Sequence, residues 1–166
     1  MAGSSDGFPD VRVVFGIEVE SGRFLIEPDP TDLVLREQAY HLVRGCLRIR
    51  SGRLPVVAPE DEIIALVDNV CFGAVREVLK DLHVAVNYTD TYGYLRLDRE
   101  GDTVRLSGDR VADIRVPTRS LLVALVECGA RFRAWLPSCD LDGDLDEITG
   151  HLEAEEALTR AALAAE

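Results

Sequence analysis

The sequence predicts an α+β fold: an antiparallel sheet, made of an N-terminal hairpin plus a central meander, packed by three to four helices. Three observations predict it. Apolar and polar residues alternate in two separate stretches, residues 11–26 and 84–116. Four other segments carry apolar residues at three- and four-residue steps. The two patterns come in blocks, which distinguishes α+β from a doubly wound parallel sheet. A chain of 166 residues, 47% of them hydrophobic, can bury a full core and is not composed like a disordered chain. Residues 11–166 read as one domain behind a flexible lead-in at residues 1–10.

The elements follow in order. Val11, Val13, Phe15, Ile17 and Val19 alternate, Ser21-Gly22 turns the chain, and Phe24-Leu25-Ile26 returns it, which predicts a hairpin ended by Pro28 and Pro30. Asp32 to about Gly45 predicts a helix from Leu35, Ala39, Leu42, Val43 and Cys46, fraying near Arg48. Cys46 to Arg50 also alternates like a strand, so residues 46–57 fit either a helix or a hairpin. Pro59 with Glu60, Asp61 and Glu62 resembles a helix start, since proline suits the first turn and acids suit its dipole. The stripe Ile63, Val67, Val70, Cys71, Ala74, Val78 and Leu82, widened by a second row of Ile64, Val75 and Leu79, then predicts a long helix over about 60–82.

Val84 to Val86, Tyr94 to Asp98, Val104 to Leu106 and Val111 to Val116 predict a meander with one wet face. Thr118 is a candidate N-cap for a helix bearing Leu121, Leu122, Leu125, Cys128, Phe132, Trp135 and Leu136, ended by Pro137. Leu145 to Ala165 predicts a last helix with a thinner stripe (Leu145, Ile148, Leu152, Leu158, Leu163), interrupted by Gly150.

The formal charge of −12 is concentrated at one end. Residues 137–166 hold nine acids and one base, a net of −8, which leaves the preceding 136 residues at −4. A broad phosphate-binding face is disfavoured by this balance, so nucleic acid is not an expected partner. Seventeen of the 18 bases are arginine, a bias that suggests a GC-rich bacterial source. Arg44, Arg48 and Arg53, with Arg131 and Arg133, make local basic patches unless nearby acids pair with them. No signal peptide or membrane span is expected, which points to the cytoplasm.

Cys46, Cys71, Cys128 and Cys139 lie at spacings that form no CxxC pair, so they read as buried free thiols. His41, His83 and His151 stand at no metal spacing from one another, and His83 suits the C-terminus of the long helix. No phosphate loop, dinucleotide fingerprint, nucleophile elbow or HExxH is present. The expectation is therefore a non-enzymatic protein without a cofactor.

Two segments remain as candidate sites. In Asp140-Leu-Asp142-Gly-Asp144-Leu-Asp146-Glu147, the residues Asp142, Asp144, Asp146 and Glu153 fall at calcium-loop positions 1, 3, 5 and 12. Glu147, however, stands where the loop's turn needs glycine. Calcium is thus an alternative to an acidic cap on the last helix. In Tyr88-Thr-Asp-Thr-Tyr92-Gly-Tyr94, three of the four tyrosines sit among small polar residues, a composition common at interfaces. Tyr88, Tyr92, Tyr94, Asp140, Asp142 and Asp144 are the candidate partner-binding residues.

From Asp61 to Leu136 the arrangement is helix, strand, the Tyr92-Gly-Tyr94-Leu meander, then a helix ending Gly129-Ala-Arg-Phe-Arg-Ala-Trp135-Leu136. This arrangement loosely resembles the small bacterial immunity proteins of polymorphic toxin systems. The resemblance implies an inhibitor that binds a toxin, and it assigns no residue a role. The function expected is a cytoplasmic protein-binding domain of immunity or accessory type with a basic protein partner. The alternatives are a subunit of a homo- or hetero-oligomer and an enzyme with a non-local active site.

Overall fold

Two four-stranded antiparallel sheets, each with helices against one face, make up the α+β architecture. The structure is a computed structural model that describes residues 10–33 and 39–166. Strands β1 (Val11–Glu20), β2 (Arg23–Ile26), β3 (Arg44–Ser51) and β4 (Glu60–Glu62) form the first sheet in the order β2-β1-β3-β4. Strands β5 (Val84–Asn87), β6 (Tyr94–Glu100), β7 (Thr103–Gly108) and β8 (Ile114–Pro117) form the second as a simple meander. The helices are α1 (Ile63–Leu66), a π-helical stretch (Val67–Gly73), α2 (Ala74–Leu79), α3 (Thr118–Trp135) and α4 (Leu145–Ala164).

The hairpin and the meander thus form where the alternation predicts them, but as two sheets. One buried cluster joins them: Phe15, Ile17, Leu47 and Ile49 from the first sheet, Leu95, Leu97, Val104 and Leu106 from the second, and Val70, Phe72, Leu121, Leu125 and Phe132 from the helices. Phe15 meets Phe132 edge-on at a centroid distance of 5.2 Å and lies 5.4 Å from Trp135. The Trp135 indole donates to the Pro28 carbonyl at 2.6 Å, which ties α3 to the end of the hairpin.

Several expectations are corrected. Within the predicted helix Asp32–Gly45, residues 34–38 lie outside the described residues, and so does the lead-in at 1–9. Tyr40–Leu42 makes a single 3-10 turn, and Arg44–Ser51 is strand β3 rather than a fraying helix. The period-2 pattern from Cys46 to Arg50 prevails because β1 offers a ladder from Val11↔Ser51 to Ile17↔Gly45. On its other side, β3 receives Val57 opposite Ile49 and β4 opposite Arg44–Cys46.

The next helix starts at Ile63, because Glu60–Glu62 pairs with β3 as an edge strand. It ends at Leu79, where Asp81 turns the chain at φ 58°, and Leu82 is left exposed. Its middle is π-helical, and Phe72 within it, which the regular stripe omits, is buried in the core. At the start of α3, Pro117 rather than Thr118 holds the N-cap position, and the buried Thr118 hydroxyl has no hydrogen-bond partner among the described residues. Helix α4 runs through Gly150 unbroken. It buries Leu152, Glu156, Thr159 and Leu163, while Leu158 is 58% exposed. No described helix is long and apolar enough to cross a membrane.

Candidate functional site: the tyrosine loop and its acidic anchor

The β5–β6 connection carries the three tyrosines. Tyr88 is half-buried, Tyr94 is 40% exposed, and Tyr92 at the tip is 98% exposed. Local chemistry closes this loop. The Tyr88 N–H donates to the Gly93 carbonyl at 3.0 Å, and the Tyr94 N–H donates to Asp109 Oδ2 at 3.2 Å. Gly93 has φ +131°, and a Cβ there would come within 2.9 Å of the Asp109 side chain. Glycine is therefore required at this position. Burial, with the nearby Asp109 carboxylate, pushes the Tyr88 phenol up to about 12.

The deeper anchor comes from the first sheet. Asp61, on edge strand β4, is only 2% exposed, yet it is a carboxylate. It accepts from the Thr89 N–H at 2.7 Å, from the Thr89 hydroxyl at 3.1 Å and from the Asp90 N–H at 3.1 Å. Burial works against its charge, but the Asp90 carboxyl and these donors outweigh it and hold Asp61 below the usual carboxylate range. Asp90 moves the other way: burial and the neighbouring Asp61 raise it, against the pull of Arg44. Arg44 pairs with Asp90 and donates to Glu18 at 3.0 Å. The chain Glu18–Arg44–Asp90–Asp61–Thr89 therefore links β1, β3, β4 and the loop.

The tyrosine loop is thus a turn of the second sheet held by a buried carboxylate of the first. The sequence pattern assigns Asp61 to a helix first turn and gives Asp90 no distinguishing mark. The Thr89-Asp90 pair signals a turn needing acceptors for its N–H groups. Nothing in the spacing shows that the acceptor stands 28 residues earlier.

The acidic segment is arranged differently. Asp144 caps α4, accepting from the Glu147 N–H at 3.0 Å, as the electrostatic reading anticipates. The Asp142 carbonyl accepts from the Tyr40 N–H at 3.1 Å, and Asp140 is exposed. Asp146 and Glu153 both lie on α4, seven residues and hence roughly 10 Å of helix apart. The twelve-residue calcium-loop alignment therefore has no loop to occupy. Among the described residues, no group of three or more His, Cys, Asp or Glu is placed to hold a metal.

Further along α4 the acids are bound to the body. Glu155 accepts from Arg76 at 2.5 Å, Glu156 from Arg133 at 2.7 Å and from Arg160 at 2.8 Å, and Glu166 from Arg99 at 2.9 Å. The tail is consequently a docked helix, and its remaining acidity gathers near its N-terminus.

All four cysteines are buried and free. His83 lies beyond the helix end and is hydrogen-bonded to Asp98 at 2.9 Å, and His151 Nε2 sits 2.9 Å from Asp68. Clefts of about 860 and 410 Å³ are lined by α3 with β1 and by the β8–α3 junction with Glu166, and a small one of about 80 Å³ by Glu60, Tyr88, Asp109 and Arg110. The two wider clefts include none of the tyrosines, Asp61 or Asp90, whereas Tyr88 lines the small one. No protein-family model, curated protein or solved structure matches the chain.

Proposed function

We propose that this is a non-enzymatic protein-binding domain whose contact surface is the Tyr88–Tyr94 loop. The observation that carries the reading is the combination of Tyr92, 98% exposed at the loop tip, with the buried Asp61 that fixes the loop's base. An exposed aromatic side chain offers a large contact area, and a loop ordered in advance loses little entropy on binding. The buried Asp61 carboxylate is taken up by the backbone and hydroxyl donors of the loop, which supports binding over catalysis. Asp61 holds the backbone of the loop, and Asp90 pairs with Arg44.

The partner fitting this reading is a basic protein, met by a chain of net charge −12 whose acids at 142–147 stand at the head of α4. Long-range attraction would speed the encounter, and the tyrosines would supply the close contact. An immunity or accessory role in a bacterial cytoplasm is the specific form of this proposal.

Affinity capture from the native lysate with the wild-type chain and with Tyr92→Ala tests it. The expected result is a stoichiometric basic protein retained by the wild type and lost by Tyr92→Ala, at unchanged thermal stability, with retention weakening as salt rises. A partner retained equally by both proteins would place the contact elsewhere.

A further inference from the structure

On the outer face of the first sheet several arginines make no ion pair with a described carboxylate, although Glu60 stands on the same face opposite Cys46. Val13, Phe15 and Ile17 of β1 and Leu47 and Ile49 of β3 point into the core. Arg12 and Val14 of β1 and Arg48 and Arg50 of β3 therefore share the opposite face. The register sets Arg12 directly opposite Arg50 and Val14 opposite Arg48. Arg53 follows on the turn after β3. Arg12, Arg50 and Arg53 are exposed, and Arg48 is half-buried.

Elsewhere the pairing is thorough. Described arginines on both sheets and all the longer helices lie within ion-pairing distance of a carboxylate, including Arg44, Arg76, Arg99, Arg105, Arg131 and Arg133. Among the described residues, Arg12, Arg48, Arg50, Arg53 and Arg110 have no such ion pair. Like charges directly opposite on one sheet face cost stability. No described acid is within ion-pairing distance of Arg12 or Arg50, although Asp10, Glu27 and Glu127 line the same cleft as Arg12.

Beside these arginines lies exposed apolar surface. Val57 is buried opposite Ile49, which turns Val56, 40% exposed, toward the arginine face, and Leu54 on the adjoining turn is 42% exposed. Unpaired guanidinium groups flanked by valine and leucine suit one kind of occupant. The guanidinium fork takes carboxylates in pairs, and the apolar rim takes aliphatic side chains.

We propose that this face docks an acidic, aliphatic-containing segment of a partner protein. It is a second surface, opposite in charge to the head of α4 and independent of the tyrosine loop. The occupant is protein rather than nucleic acid, because the exposed Leu54 and Val56 beside the arginines match aliphatic side chains, which a polyphosphate backbone does not offer.

The test is fluorescence anisotropy at low salt with a short fluorescein-labelled peptide of alternating glutamate and leucine, using the full chain and Arg50→Glu. The expected result is salt-sensitive binding by the wild type that weakens about tenfold or more in Arg50→Glu. The variant should also melt at a higher temperature, since the introduced carboxylate would face Arg12 as an ion pair. A higher melting temperature with lost binding separates a binding role from a folding role. Absent binding to the wild type, or equal binding to Arg50→Glu, would overturn the proposal. So would tighter binding of a single-stranded oligonucleotide to the same arginines, or self-association through them that excludes the peptide.

Discussion

Asp61 is the residue on which the candidate site depends. A carboxylate removed from water is retained only where donors replace its hydration, and here the donors are the N–H groups of a loop in the other sheet. Asp61→Ala leaves the Thr89 and Asp90 donors without their acceptor and should cost about 2–3 kcal/mol in urea denaturation. The pH dependence follows from the direction of the shift. Asp61 is held below its ordinary 3.8, so the unfolded chain binds its proton first as acid is added. Its contribution is complete above that value and is lost as pH falls through the lowered one. His151 behaves oppositely. The hydrogen bond to Asp68 raises it above 6.5, so its contribution is complete below 6.5 and fades as pH rises through the raised value. Replacing His151 by Ala should therefore destabilise the protein more at pH 5.5 than at pH 9, as read from melting temperatures. Both side chains are partly in solvent, so the difference should be small.

At the scale of elements, packing at one glycine shows how tightly the helices are fitted. A Cβ on Gly129 of α3 would come within 2.6 Å of the Phe72 ring and 2.9 Å of the Cys71 Cβ. Gly129→Ala should thus destabilise by about 1–3 kcal/mol despite the better helix propensity of alanine, measurable by chemical denaturation. The same contact explains a part of the fold that the sequence did not disclose. Phe72 belongs to the π-helical stretch Val67–Gly73, and its ring packs against Gly129. The meander and α3 were legible because their apolar spacing has one reading. Arg44–Ser51 and Glu60–Glu62 were not, because each fits two patterns and is decided by the β1 ladder. In the candidate site, the tyrosines were legible as composition and Asp144 as a cap. The Asp61 anchor was not, since it joins residues 28 and 29 positions apart.

Over the whole molecule, charge is used unevenly. Glu155, Glu156 and Glu166 clamp α4 to Arg76, Arg133 and Arg99, while Leu152 and Leu163 enter the core. Removing residues 140–166 would therefore strip core contacts as well as charge. Neutralising Asp142 and Asp146 is the cleaner way to ask whether acidity steers association. With Asp144 engaged as a cap and Asp146 and Glu153 two helical turns apart, calcium should give neither heat in a titration nor a rise in melting temperature. Saturable binding at or below millimolar calcium would contradict that geometry.

The central claim is that residues 88–94 form a contact surface already ordered in the free protein. Backbone amide order parameters from nitrogen-15 relaxation test it most directly. The account predicts values near about 0.85 across Tyr88–Tyr94, as in rigid backbone, falling below about 0.6 in Asp61→Ala. A loop that is flexible in the wild-type protein, or equally rigid without Asp61, would contradict it.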